Sequence, residues 1–216
     1  MTVTTVTPYE HALSNARPLN LIAADGRVVP LAIRRYLDSA DDDDATVLQR
    51  CTGPVLDVGC GPGRIAHAIA AQGIPVLGVD VAGVAVALTQ RRGAAALRRS
   101  VFDRVPGEGR WPTVLVLDGN IGIDGDVASL LTRLIRLVAP GGRLIVETST
   151  DVTPTDEVLS VRFEVEGCPA GDAFDWAVVD AAALAGYGRR CGLATTDQWS
   201  AGSRHFVLFE RSTAMP

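Results

Sequence analysis

The run Val55-Leu56-Asp57-Val58-Gly59-Cys60-Gly61-Pro62-Gly63-Arg64 decides the fold of this chain. Its pattern predicts an apolar strand that contains an acid, then a loop with glycines at alternating positions, then the start of a helix. A second apolar run, at 76–79, ends at another acid, Asp80. Doubly wound sheets hold an adenosyl group with a glycine loop at the end of one strand and an acid after the next. The sequence therefore predicts an adenosyl-binding site at the carboxyl ends of parallel strands.

The glycine spacing indicates which adenosyl ligand this loop suits. The glycines follow G-x-G-x-G, whereas nicotinamide and flavin folds show G-x-G-x-x-G, and a phosphate-binding P-loop ends in Gly-Lys-Ser/Thr. The chain contains no lysine. Asp57 would repel a pyrophosphate but suits a cation, and S-adenosylmethionine carries an ammonium and a sulfonium without any phosphate. The spacing favours S-adenosyl-L-methionine and leaves a nicotinamide-dependent oxidoreductase as the less favoured alternative.

Three segments together resemble a known family. The glycine loop resembles motif I of class I S-adenosylmethionine-dependent methyltransferases, Gly78–Val81 resembles the second motif, and Ala139–Leu144 resembles the turn before the fifth strand. They occur in the family's order and cover about residues 51–150. The resemblance implies methyl transfer to an oxygen or nitrogen atom of a small-molecule acceptor. A non-catalytic protein of the same fold that binds S-adenosylmethionine or S-adenosylhomocysteine remains an alternative.

The alternation of apolar strands and helices predicts an α/β fold. Continuous apolar runs between helices are typical of a parallel sheet that is covered on both faces. We expect a three-layer α/β/α sandwich, Rossmann-like, with a seven-stranded, mostly parallel sheet and an antiparallel last strand. Residues 1–50 are predicted to form an N-terminal lid or hairpin segment. Residues 51–216 are predicted to form the methyltransferase core, with a small insertion near 150–179.

The N-terminal segment contains one strong local signal and two weaker ones. Asp25-Gly26 between two apolar runs predicts a hairpin formed by residues 19–24 and 27–31, because such turns require positive φ angles. Residues 1–7 are expected to be poorly ordered or to form a short edge strand. The acidic run Asp41–Asp44 is interpreted as a solvated loop, in which Asp44 could cap a helix over 45–51.

The resemblance also assigns cofactor contacts. Asp57 would hold the loop and face the cofactor ammonium, and Asp80 would accept hydrogen bonds from both ribose hydroxyls. Val81 would pack on the adenine, and the segment after the weak third strand would also contact it. The predicted cofactor-binding residues are Asp57, Gly59, Cys60, Gly61, Gly63, Asp80, Val81, Phe102, Asp103, Asp118 and Gly119.

Two residues are predicted to act in catalysis. Asp118 opens an unusual acid- and glycine-rich stretch after the fourth strand, where ligands sit in such sheets, and it is predicted to lie near the transferred methyl group. His11 is predicted to act as a general base or to contact the acceptor, because histidine is the side chain type that exchanges protons near neutral pH. Trp176 and Tyr187 could line the acceptor pocket or could simply pack the insertion onto the core.

Composition excludes several other functions. The chain has 216 residues, of which 47% are apolar, and a net charge of −5, so disorder and non-specific nucleic-acid binding are disfavoured. The four cysteines show no C-x-x-C spacing, and no metal site is predicted. No apolar stretch is long enough to span a membrane, and no signal peptide is recognisable. We therefore expect a cytoplasmic enzyme whose oligomeric state the sequence leaves open.

Overall fold

The computed structural model describes residues 3–149 and 155–213. The strands of this part of the chain are β1 (Leu19–Ala23), β2 (Val28–Leu31), β3 (Val55–Val58), β4 (Val76–Asp80), β5 (Ala95–Arg98), β6 (Trp111–Val116), β7 (Val138–Thr148), β8 (Asp156–Val165), β9 (Cys168–Val179), β10 (Leu193–Ala201) and β11 (Arg204–Arg211). The helices are α1 (Val3–Asn15), α2 (Ile33–Leu37), α3 (Asp42–Leu48), α4 (Arg64–Ala71), α5 (Gly83–Arg91), α6 (Val127–Leu137) and α7 (Ala181–Arg190), with a 3₁₀ segment at Asn120–Gly125.

Seven strands form the main sheet in the order β10-β11-β7-β6-β3-β4-β5. Strands β7, β6, β3, β4 and β5 are parallel to one another, whereas β11 runs antiparallel to both β7 and β10. The last strand in the sequence is therefore the antiparallel one. The predicted seven-stranded, mostly parallel architecture is confirmed.

Helices cover both faces of this sheet. Its central strands β3, β4 and β6 are mostly apolar on both faces, so both faces are buried. Along β3, Leu56 and Val58 pack with Leu134 of α6 and Leu184 of α7 on one face. Val55 points to the other face, where it packs with Ile65 and its neighbours on α4. The alternation follows from the period of two along a strand, and it gives the three layers that the sequence predicts.

A second, antiparallel sheet has the order β2-β1-β8-β9. The hairpin of β1 and β2 turns at Asp25-Gly26, where Gly26 has φ of 88°, so the predicted hairpin is confirmed. Strand β1 then pairs with β8, with Leu21 opposite Phe163. The N-terminal hairpin and the predicted insertion thus share one sheet, which no local pattern indicated. The boundary between 1–50 and 51–216 remains a prediction.

Two predictions for the N-terminal segment are wrong. Residues 3–7 belong to helix α1 rather than to an edge strand or a poorly ordered tail, and residues 1 and 2 lie outside the described residues. Helix α3 begins at Asp42 and is capped by Asp41, whose side chain accepts the Asp44 N–H while the Asp44 side chain accepts the Asp41 N–H. Such reciprocal bonds satisfy two backbone donors at a helix start. Asp44 is completely buried, so the acidic run is not a solvated loop.

No helix within the described residues is both long enough and apolar enough to cross a lipid bilayer.

Candidate active site

A cavity lies between the carboxyl ends of the parallel strands and the second sheet. It encloses about 1230 Å³, a volume that includes its open mouth. One half is lined by the glycine loop and by the ends of β4 and β6, at Asp57–Pro62, Asp80 and Asp118. The other half is lined by aromatic and aliphatic side chains from α1, α2 and the second sheet. A cavity at this edge of a doubly wound sheet is typical of a ligand site.

Asn120 packs on the first turn of the glycine loop. Its side-chain amide donates a hydrogen bond of 2.9 Å to the Gly59 carbonyl. A Cβ on Gly59 would collide with this amide, and Gly59 has φ of 69°. Part of the requirement for glycine at this position therefore comes from Asn120, and not only from close approach of a ligand.

Gly63 serves helix packing. It caps the N-terminus of α4 with φ of 85° and does not line the cavity. A Cβ there would lie 2.8 Å from the Thr89 Cα, on α5. The third glycine of the loop thus brings α4 and α5 together, unlike Gly61, which does line the cavity.

Replacing Gly63 with alanine should lower the free energy of unfolding by about 3 kcal/mol, from left-handed strain plus overpacking. Gly73, just past the other end of α4, is the matched control, because its φ is 75° but a Cβ there meets open space. Gly73→Ala should cost only the strain, about 1 kcal/mol. Urea unfolding of both variants measures the difference. Equal losses would contradict the packing role assigned to Gly63.

Asp80 fixes the loop and still presents its carboxylate to the cavity. One oxygen accepts the Gly61 N–H at 2.9 Å and the other accepts the Ala82 N–H at 2.8 Å. Burial raises the pKa of Asp80 to about 6, although these backbone hydrogen bonds act in the opposite direction. A carboxylate has about four acceptor sites, so it retains capacity for two hydroxyl donors of a ligand.

Asp57 is a buried acid with an unsatisfied oxygen. Its Oδ2 has no hydrogen-bond partner among the described residues, and its side chain lines the cavity. Burial raises the pKa of Asp57 to about 7, and the nearby charges of Asp118 and Asp80 act in the same direction. A buried acceptor without a donor is costly, so this oxygen fits a cationic donor from a ligand.

The raised pKa of Asp57 predicts a pH-dependent gain from Asp57→Asn in the ligand-free protein. The folded state holds this proton up to about pH 7, whereas an unfolded aspartate loses it near pH 4. The stability that the bound proton provides is therefore lost as pH rises from about 4 to about 7. Asparagine avoids this loss, so the substitution should stabilise more at pH 8 than at pH 5, by roughly 2 kcal/mol.

Urea unfolding at the two pH values tests this, with the exposed Asp103→Asn as control. The control substitution should change the free energy of unfolding by the same amount at both pH values. A gain from Asp57→Asn that does not change with pH would contradict the assignment.

Asp118 is held by arginines. Both of its oxygens accept bonds from Arg64 Nη2, at 2.9 and 2.8 Å, and Arg35 and Arg204 each approach within 3.4 Å. Its own N–H donates to Glu147 Oε2 at 2.7 Å, and its φ is 55°. This carboxylate lines the cavity as an ion-paired group, an arrangement that suits holding a ligand better than removing a proton.

The same arginines extend into a buried ion cluster beneath the cavity. Asp44 accepts bonds from Arg64 and from Arg204 Nη1, the latter at 2.7 Å. Arg204 also binds Glu147 through two nitrogens, at 2.8 and 2.6 Å. Residues from α2, α3, α4, β7 and β11 and the loop after β6 meet here, so the cluster fixes the floor of the cavity.

The structure brings most of the predicted cofactor residues to one cavity. The predicted residues that line it are Asp57, Gly59, Cys60, Gly61, Asp80, Val81, Phe102 and Asp118. Gly63, Asp103 and Gly119 do not line it, and Asp103 is exposed.

His11 is exposed and lies outside the cavity lining, so the structure does not place it at the site. Trp176 lines the cavity, whereas Tyr187 donates a hydrogen bond to Asp156 instead. The other two histidines make hydrogen bonds elsewhere: His67 with the Arg92 carbonyl and His205 with the Ser200 hydroxyl.

Sequence reasoning missed several residues of the site. Tyr9 and Tyr36 line the cavity from α1 and α2, and Arg64 lines it from the start of α4. The signal for Arg64 was its position directly after the last glycine of the loop. Tyr9 and Tyr36 carried no comparable signal, because their place depends on long-range packing of the N-terminal helices.

The described residues contain no group of three or more histidine, cysteine or acidic side chains that could hold a metal ion. All four cysteines are free thiols. Burial raises the pKa of the Cys60 thiol in the glycine loop, which keeps it protonated and unsuited to nucleophilic attack.

Residues 55–142 match the family model described as a methyltransferase domain. The match identifies this stretch as a methyltransferase domain. The matched range runs from the start of β3 into β7, so it contains the glycine loop, Asp80 and Asp118. A comparison with curated proteins gives no significant match to this methyltransferase.

Solved structures share the fold of this methyltransferase. An S-adenosylmethionine-dependent methyltransferase from Bacteroides fragilis, in complex with S-adenosyl-L-homocysteine, is 21% identical, with a TM-score of 0.78 over 97% of this chain and 94% of that one. The 1,6-didemethyltoxoflavin-N1-methyltransferase of Burkholderia thailandensis is 18% identical, with a TM-score of 0.64 over 82% and 81%. An amino pentose methyltransferase from Micromonospora echinaspora is 18% identical, with a TM-score of 0.61 over 84% and 95%.

Proposed function

We propose that this enzyme transfers the methyl group of S-adenosylmethionine to an oxygen or nitrogen atom of a small molecule. The observation that carries the proposal is the continuity of one cavity from the glycine loop to the apolar face of the second sheet. The two reactants of a methyl transfer must meet in line, and alignment in a shared cavity supplies much of the rate.

The residues of the first half fit the cofactor. The unsatisfied Asp57 oxygen would accept from its ammonium, and the remaining acceptor sites of Asp80 would take the two ribose hydroxyls. Val81 and Phe102 offer apolar contact for the adenine. Bound there, the cofactor supplies an electrophilic methyl group, while the protein orients it and excludes water.

The second sheet supports a small acceptor. We assign the segment 1–50 and the insertion at 150–179 to the closure of this half, since their hairpins pair through β1 and β8. Two similar structures are named for 1,6-didemethyltoxoflavin and an amino pentose, both small molecules. Both are only 18% identical to this chain, so the identity of the acceptor has to come from this chain's own side chains.

Incubation with methyl-tritiated S-adenosylmethionine and pooled small hydroxyl, phenol and amine compounds tests the proposal. We expect label in a small organic product, and mass spectrometry of the active pool identifies the methylated atom. Asp80→Ala should abolish the transfer, whereas Asp172→Ala, on the exposed part of β9, should not affect it. Tight binding of S-adenosylhomocysteine without transfer to any compound class would instead favour a non-catalytic binding protein.

A further inference from the structure

The cavity is unusually aromatic for this chain. Six of the chain's eleven aromatic residues line the cavity, and they are Tyr9, Tyr36, Phe102, Phe163, Phe174 and Trp176. On the second sheet, the Phe163 and Phe174 rings lie 5.4 Å apart, and Trp176 meets Phe174 edge-on at 6.4 Å. Together they form a continuous aromatic wall that faces the glycine loop. Aromatic faces attract cations through their quadrupole.

The charges that border this wall are predominantly negative. Three arginines of the buried cluster, at 35, 64 and 204, are paired with four carboxylates, at 41, 44, 118 and 147. Asp57 and Asp80 add two further acids to the cavity. The lining also includes Arg99, which is exposed on the adenine side. An anionic acceptor would therefore find no unpaired guanidinium at the centre of the cavity.

Among the described side chains of the lining, the tyrosines and Asp118 are not suited to deprotonating a hydroxyl group, and Asp57 and Asp80 are assigned to the cofactor. None of the three histidines lines the cavity. Burial, with Asp80 and Asp118 nearby, raises the pKa of Tyr9, and burial also raises the pKa of Tyr36, so both phenols stay protonated at neutral pH. The Asp118 carboxylate is occupied by Arg64. An amine that enters the cavity in its neutral form, with its proton left to water, brings its own lone pair and requires no such base.

We propose that the acceptor is an amine attached to an apolar or aromatic body, and that the aromatic wall and the carboxylates stabilise the cationic product. This rests on the proposed function and names its substrate class. The nitrogen lone pair forms the new N–C bond while the S–C bond breaks and its electron pair returns to sulfur. Positive charge moves from sulfur to nitrogen, and the ammonium product passes any proton to water at the open mouth.

Calorimetric titration of the protein saturated with S-adenosylhomocysteine tests this. The probes are 3-hydroxyphenyltrimethylammonium, its neutral isostere 3-tert-butylphenol, and 3-hydroxybenzoate as an anion. We expect the ammonium probe to bind roughly tenfold tighter than the neutral one, and the anion to bind weakest. Equal affinities, a preference for the neutral or anionic probe, or no binding of any probe would overturn the proposal.

Variants of Trp176 separate a π interaction from simple apolar contact. Trp176→Leu should reduce the preference for the ammonium probe several-fold, whereas Trp176→Phe, which keeps an aromatic face, should retain most of it. Retention in both variants would contradict the role of the wall. The affinity for S-adenosylhomocysteine is measured first, so that failure of the proposed function can be told apart from failure of the amine assignment. If it does not bind, the proposed function fails, and if it binds without charge preference between the probes, only the amine assignment fails.

Discussion

Replacing Asp80 with alanine is expected to weaken the binding of S-adenosylmethionine by about 100-fold. Hydrogen bonds to a charged group contribute about 1.5–3 kcal/mol each, and two ribose hydroxyls would lose their acceptor. The substitution also frees the Gly61 and Ala82 N–H groups that shape the loop. A loss of about 100-fold corresponds to about 2.7 kcal/mol, which is a conservative sum of these effects.

Calorimetry measures the two affinities, and Asp172→Ala, on an exposed part of the second sheet, is the control with the same change of charge. The control should change the affinity less than about twofold. Asp103→Ala adds a sharper comparison, since the family resemblance assigns Asp103 to the adenine but the structure leaves it exposed and outside the cavity lining. If Asp80→Ala binds S-adenosylmethionine within a few-fold of the affinity of the unaltered protein, Asp80 does not hold the cofactor.

Replacing Asp44 with alanine should lower the free energy of unfolding by about 3–5 kcal/mol, because removal of one partner leaves buried charges uncompensated. Asp44 is completely buried and lies between Arg64 and Arg204, which are themselves only 2% and 5% exposed. Its side chain also accepts the Asp41 N–H in the capping box of α3. Few single side chains in the described structure combine these roles.

Asp42→Ala is the matched control, since Asp42 lies two residues away on the same helix and is exposed. It should cost a few tenths of a kcal/mol. Asp44→Asn keeps the size of the side chain and one acceptor but removes the charge, so a loss close to that of alanine would assign the effect to the ion pairs. Urea unfolding measures the free energy of unfolding of the three variants. A loss for Asp44→Ala as small as that for Asp42→Ala would contradict the role of the buried ion cluster.

The sequence predicted the main sheet well because its signals are local. The apolar runs, the glycine loop and the acid at the end of β4 each lie within a few residues, and their order along the chain determines the order of the strands. The Asp25-Gly26 hairpin is local in the same way. These features required no knowledge of what packs against them.

The features that the sequence did not predict all depend on contacts between residues far apart in the chain. Asp44 reads as part of a solvated acidic run, yet it is buried because its arginine partners lie 20 and 160 residues away in sequence. The aromatic wall depends on the pairing of β1 with β8, which joins segments more than 130 residues apart. Gly122, in the loop after β6, is close to the Ala177 carbonyl, where a Cβ would lie 2.5 Å from it. A glycine in that loop therefore allows the second sheet to pack closely against it. The sequence pattern does not indicate this contact.

The acceptor half is thus built from segments that the family motifs do not cover, since the matched range ends at 142. This explains why the methyltransferase family follows from the sequence while the acceptor does not. Under the proposed function, we expect the residues that distinguish one acceptor from another to come from α1, α2 and the second sheet.

Titration of the purified protein with S-adenosylhomocysteine, S-adenosylmethionine and NAD tests the central claim most directly. The account predicts that both adenosyl-sulfur ligands bind with micromolar affinity, about −8 kcal/mol, and that NAD does not bind measurably, because Asp57 and the G-x-G-x-G loop disfavour a pyrophosphate. Binding of NAD in place of the other two would contradict both the assigned cofactor and the roles given to Asp57 and Asp80.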